Sequence, residues 1–204
     1  MKNLKDIIVE RLHINKDIKS YNYYPKTRDE LKELVNKLIE ERGNKANLND
    51  IDTSEITDMS EVFHQSEFNG DISEWNVSNV KDMFALFYNS NFNGDISNWD
   101  VSKVENMVSM FAYSKFTGEN GDISNWDVSN VENMDSMFMG SKFTGKNGDI
   151  SKWCVSNVKN MRCMFFESPF NGDISKWDVS NVKNMRSMFI MSPLVKNPPK
   201  WYKY

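Results

Sequence analysis

Phe92-Asn93-Gly94-Asp95-Ile96-Ser97-Asn98-Trp99-Asp100-Val101-Ser102-Lys103-Val104-Glu105-Asn106-Met107-Val108-Ser109-Met110-Phe111 is one copy of a motif that fills most of this chain. Its tryptophan recurs at Trp75, Trp99, Trp126, Trp153 and Trp177, at intervals of 24, 27, 27 and 24 residues. A fixed period of this length marks a repeat architecture. Each unit is too small to bury its own apolar face and must stack on its neighbours.

With the tryptophan as position zero, the apolar slots are 0, +2, +5, +8, +11, +12 and +17, with an isoleucine three residues before the next tryptophan. Around Trp99 these are Val101, Val104, Met107, Met110, Phe111, Phe116 and Ile123. The run from +5 to +12 places its apolar residues at i, i+3, i+6 and i+7, which predicts a short helix. Ser78, Ser102, Ser129, Ser156 and Ser180 stand at +3, where its N-cap belongs. Ile-Ser-x-Trp-Asp-Val is β-prone and predicts a very short strand. Asn-Gly pairs, as at Asn93-Gly94 and Asn171-Gly172, mark the corner between units. The expected fold class is therefore an α/β repeat, a solenoid of 24–27-residue coils that each hold one short strand and one short helix. Met and Trp columns fill its interior, and the thirteen methionines suit irregular gaps.

The period reaches past its clearest copies. Ile51 takes the tryptophan slot 24 residues before Trp75, and Trp201 follows Trp177 by 24. Pro193, Pro198 and Pro199 break the last coil, so Trp201, Tyr202 and Tyr204 are expected to cover the end of the core. The solenoid is assigned to residues 47–204, as about six coils, and residues 1–46 to an N-terminal helical cap. In the cap, Thr27-Arg28-Asp29-Glu30 is a capping box, followed by the stripe Leu31, Leu34, Val35, Leu38 and Ile39 and then Gly43. This predicts a helix over 28–42. Leu4, Ile7, Ile8 and Leu12 suggest an earlier helix, and Tyr21, Tyr23 and Tyr24 form a candidate docking segment for another protein or a second copy.

The composition excludes several classes. The chain has 204 residues and a net charge of −4, too mild to imply nucleic-acid binding as a whole. No run approaches the 18 apolar residues of a membrane span, and the charged start lacks the apolar core of a signal peptide. A cytoplasmic or virion-associated location is expected ahead of secretion. His13 and His64 are the only histidines, and neither stands in a catalytic or metal-ligand spacing. Cys154 and Cys163 read as two free thiols in preference to a disulfide or a metal pair. Asp71, Asp95, Asp122, Asp149 and Asp173 form a column that reads as turn stabilisers, with calcium binding as the alternative. No catalytic residue, cofactor site or metal site is assigned.

The repeat resembles the BspA-like leucine-rich-repeat surface proteins, specifically their tryptophan-containing repeat of mycoplasma-lipoprotein type. Phe92 to Phe111 carries the resemblance, which spans roughly residues 50–190. It implies a leucine-rich-repeat-like solenoid and a surface or adhesion setting. Tyr23-Tyr24-Pro25-Lys26-Thr27-Arg28-Asp29-Glu30-Leu31 and Leu48-Asn49-Asp50-Ile51-Asp52-Thr53-Ser54 are also similar to short repeat proteins of gut bacteria and their phages.

Two departures from regularity nominate a surface. Thr117-Gly118-Glu119 and Thr144-Gly145-Lys146 are equal insertions in adjacent coils, which put Glu119 and Lys146 on one face. The slots at −1, +6 and +9 turn from acidic to basic along the chain, giving Lys152, Lys159, Arg162, Lys176, Lys183 and Arg186. The expected function is a non-enzymatic protein-interaction module of binding or adhesion type. A structural or virion-assembly protein docking through its N-terminal segment is the alternative, and a polyanion-binding effector using the basic stripe is the third reading.

Overall fold

The computed structural model describes residues 20–203. The expected helix at 4–12 and His13 lie outside the described residues.

The predicted helix over 28–42 forms with those bounds. Helix α1 spans Arg28–Arg42; Thr27 accepts from the Glu30 N–H at 3.3 Å, and Gly43, at φ 84°, ends it. Leu31, Val35 and Leu38 are fully buried and share one apolar cluster with Leu48, Ile51 and Phe63 of the first coil. Arg28 reaches Ser60, Lys32 pairs with Glu61, and Lys26 pairs with Glu55, so α1 is tied along the coil it covers.

The α/β reading of the repeat is corrected by the backbone. Among the described residues α1 is the only α-helix, and Pro193–Val195 adds a single 3-10 turn. The coils hold neither the expected short helix nor the expected short strand. Parallel pairing is confined to isolated bridges at the +7 column, Asp58–Asp82–Asn106–Asn133–Asn160–Asn184, with Tyr23–Ile51 and Asn47–Asp71 at the N-terminal side. The repeat is a stack of turn-rich coils, not a strand-and-helix leucine-rich-repeat solenoid.

The reason lies in where the N–H groups go. Between +8 and +15 they alternate. Met110 donates back to Met107 O at 3.3 Å and Ala112 to Ser109 O at 3.1 Å, which close i to i+3 turns. Met107, Ser109, Phe111 and Tyr113 instead donate to Asn133, Asp135, Met137 and Met139 of the next coil, at 2.7 to 2.9 Å. A helix would send those same groups to i−4. The chain changes direction at +10 and +14, where φ is positive in coil after coil: Ala85 and Asn89, Ser109 and Tyr113, Cys163 and Glu167. An L-residue in that region ends a helix. Consecutive turns bury i, i+3, i+6 and i+7 just as one helical stripe does, so the apolar pattern fits both. The strand segment is likewise a turn, with Trp99 N–H on Ile96 O at 3.2 Å.

Side-chain burial follows the slots. Tryptophans 75 to 177 are 3–4% exposed, and each indole points into the stack. The Nε1–H of Trp75, Trp99, Trp126, Trp153, Trp177 and Trp201 donates to the carbonyl of the residue at −3 in the preceding coil, at 2.9 to 3.3 Å. Beside this column the +12 phenylalanines, Phe63, Phe87, Phe111, Phe138, Phe165 and Phe189, stack at 5.5 to 6.1 Å between ring centres. Offset aromatic contacts of this kind add to the area they bury. Polar slots are used locally: Asp95, Asp122, Asp149 and Asp173 accept the N–H of the serine two residues on, at 2.8 to 2.9 Å. The +3 serines cap no helix, and their N–H groups go to the +1 aspartates, as Ser102 to Asp100 at 3.1 Å.

Candidate interaction surface

Stacking consumes the inward slots and leaves +6, +9, +13 and +14 facing out, so what stands there is free of the core's demands. At +6 the column reads Lys81, Glu105, Glu132, Lys159 and Lys183, all exposed. Lys81 pairs with Glu105 at 3.2 Å and Lys159 with Glu132 at 2.6 Å. At +9, Arg162 approaches Asp135 at 3.5 Å, and Arg186 stands in the next coil. Two of the six nominated basic residues are thus neutralised inside the stack. Lys183 and Arg186 carry no ion pair among the described residues. Lys152 and Lys176 are exposed in the column beside the tryptophans, apart from +6 and +9.

Glu119 and Lys146 are exposed on adjacent insertions, each closed by an N–H to threonine Oγ1 at 3.2 Å. The insertions stack closely, since a Cβ on Gly118 would lie 2.1 Å from the Asn147 carbonyl. Of the tyrosines nominated for docking, Tyr23 is held by the fold: its backbone pairs with Ile51, and its hydroxyl accepts from Arg42 at 3.2 Å. Arg42 also forks onto Asp50 at 3.0 and 3.1 Å, and this contact holds the Asp50 carboxyl below its usual range. Tyr24 stays exposed, edge-on to Tyr21.

Sequence reading missed an aromatic strip on the outward face. His64 stacks on Tyr88 at 4.9 Å, and Tyr88 meets Tyr113 edge-on at 5.8 Å. Tyr113 is 40% exposed, and Phe84 at +9 is 38% exposed. The Tyr113 ring lies across Gly140, where a Cβ would come within 2.5 Å of it. Burial, then the Glu167 carboxylate, raises the Tyr113 phenol. The signal was present in the +13 and +14 slots, where large rings serve no stacking need. Cys163 is a free thiol pushed up by burial, so it is a poor nucleophile, and Cys154 is free and exposed.

A family model described as "Mycoplasma protein of unknown function, DUF285" matches residues 29–142 and 112–202. The chain belongs to this family. The two matches overlap, as expected where one mycoplasma-type repeat recurs, and together they take in α1 and every tryptophan coil. No curated protein and no solved structure matches the chain. Among the described residues no helix is long and apolar enough to cross a membrane, and no group of three or more His, Cys, Asp and Glu is placed to hold a metal ion.

Proposed function

We propose that this chain is a non-enzymatic protein-interaction module that presents the +9, +13 and +14 columns to a protein partner. The observation that carries the reading is the exposed aromatic strip: Phe84, Tyr88 and Tyr113 occupy slots that the backbone ladder leaves unconstrained. Aromatic side chains flanked by charge are the usual anchors of protein interfaces. The polyanion reading is weakened, because Lys159 and Arg162 already face Glu132 and Asp135. A surface or adhesion setting, as in BspA-like proteins, fits the same reading.

The test is capture of partners with the Phe84→Ser/Tyr113→Ser variant beside the parent, with unfolding midpoints measured for both. The expected result is loss of the captured protein with the midpoint nearly unchanged. Retention of every partner by the variant, or retention on heparin as the chain's main binding activity, would refute the proposal.

A further inference from the structure

The final coil differs from all others in having no successor over its second half. In the coil before it, the N–H groups of Met161, Cys163, Phe165 and Glu167 donate to Asn184, Arg186, Met188 and Ile190 at 2.8 to 3.0 Å. The equivalent N–H groups of the final coil belong to Met185, Ser187, Phe189 and Met191, and these have no acceptor in the structure. Trp201 covers only the first half of the coil, where its indole reaches Ile174 O at 2.9 Å. The chain then crosses the stack end and leaves a groove of about 470 Å³ between the open edge and the tail. Val182, Ile190, Val195 and Tyr202 line it, and Lys183 and Arg186 stand at its rim. Ile190 is 44% exposed.

We propose that this groove binds an acidic polypeptide segment of another protein, which supplies carbonyl acceptors to the N–H groups of Met185, Ser187, Phe189 and Met191 and carboxylates to Lys183 and Arg186. The proposal rests on the reading of the chain as a protein-interaction module and names its site and partner chemistry. Backbone addition to an open edge gives affinity without demanding a particular sequence, and flanking charges then select. Within the stack the same slots already pair across coils: Lys81 meets the Glu105 of the following coil. Lys183 and Arg186 lack such a successor.

A second copy of the chain does not fit the groove. Two C-terminal ends placed together would set rows of N–H donors against each other. The opposite end of the stack is closed by α1, with Leu31, Val35 and Leu38 fully buried. A foreign segment that brings acceptors satisfies both conditions.

The probe is a fluorescein-labelled peptide with the sequence of residues 131–141, which carries the acids Glu132 and Asp135 in the +6 and +9 slots. Anisotropy with the full chain should show saturable binding. The Lys183→Glu/Arg186→Glu variant should weaken it by about tenfold or more, and a peptide with both acids replaced by Lys should not bind. Amide resonances of Met185, Ser187, Phe189 and Met191 should shift and gain exchange protection on titration, which locates the contact even if a variant misfolds. No binding at millimolar peptide, binding without change at those four amides, or a concentration-dependent dimer that masks them would overturn the proposal. If the peptide fails while Tyr113-dependent capture persists, the groove is wrong and the module stands. If capture is indifferent to Tyr113 while the peptide binds, the outward face is wrong and the groove stands.

Discussion

Replacing Ser109 and Ser187 with glycine separates a turn ladder from a helix by the sign of the effect. Both occupy +10, with φ of 56° and 61°. A left-handed conformation costs an L-residue about 1–2 kcal/mol. Glycine escapes that cost but gives back about 0.4–1 kcal/mol through the greater freedom of its unfolded chain. The net expectation is a gain of about 0.5 kcal/mol per site, or about 1 kcal/mol for the pair. With a urea slope of about 2 kcal/mol/M, the unfolding midpoint rises by roughly 0.5 M. In a helix the same changes would lower stability by about 0.5 kcal/mol each, while alanine would raise it. Ser136 is a poorer site because its hydroxyl donates to Asp135 at 2.6 Å. The assay is equilibrium urea unfolding of the parent, the double glycine variant and the double alanine variant, with midpoints as the readout. The ladder predicts glycine above serine, with alanine no better than serine. The order alanine, serine, glycine would refute the reasoning.

Trp126→Phe should cost about 1–2 kcal/mol, read as a lower thermal or urea midpoint. It removes the Nε1–H bond to Ile96 O at 3.2 Å, while that carbonyl keeps the Trp99 N–H at 3.2 Å. An unchanged midpoint would mean that the indole column is not held by these bonds. Gly118→Ala should destabilise by about 2 kcal/mol, because φ is +79° and the new Cβ would fall on the Asn147 backbone oxygen, which cannot swing aside. Stability should also decline in acid. Arg42 holds the Asp50 carboxyl below its usual range, and Ser102, Ser151 and Ser175 do the same for Asp100, Asp149 and Asp173. The folded state thus favours the charged forms, so their contribution is present above about pH 4 and is lost as pH falls through the depressed values. Midpoints measured from pH 6 to pH 3 should fall for the parent and fall less for Arg42→Gln, which lacks the Asp50 share. Parallel curves would remove Asp50 from the account.

The period, the buried slots and helix α1 could be read from the sequence because each rests on burial or on a local cap. Trp99, Val101, Val104, Met107, Met110 and Phe111 are all buried as their spacing requires. The backbone path could not be read. Met107, Met110 and Phe111 satisfy a helical stripe and a chain of turns equally, and what decides between them is the sign of φ at Ser109 and Tyr113. Neither residue announces a left-handed conformation as a glycine would; only Gly140, at φ 60° in the +14 slot of the next coil, does so. The basic columns were visible as residue types. That Lys159 and Arg162 find acids while Lys183 and Arg186 do not depends on the order of coils in space. The groove at the stack end left no mark in the sequence, because it arises where the last coil lacks a successor and the tail crosses only half of it.

The alternation of N–H groups between turn and neighbouring coil is tested most directly by scalar coupling across hydrogen bonds, measured by NMR on deuterated protein. The Ser109 amide nitrogen should couple to the carbonyl carbon of Asp135, and Phe111 to that of Met137, matching the 2.9 Å contacts in both cases. Coupling from Ser109 to Glu105, four residues earlier in the same coil, would restore the helix and contradict the ladder.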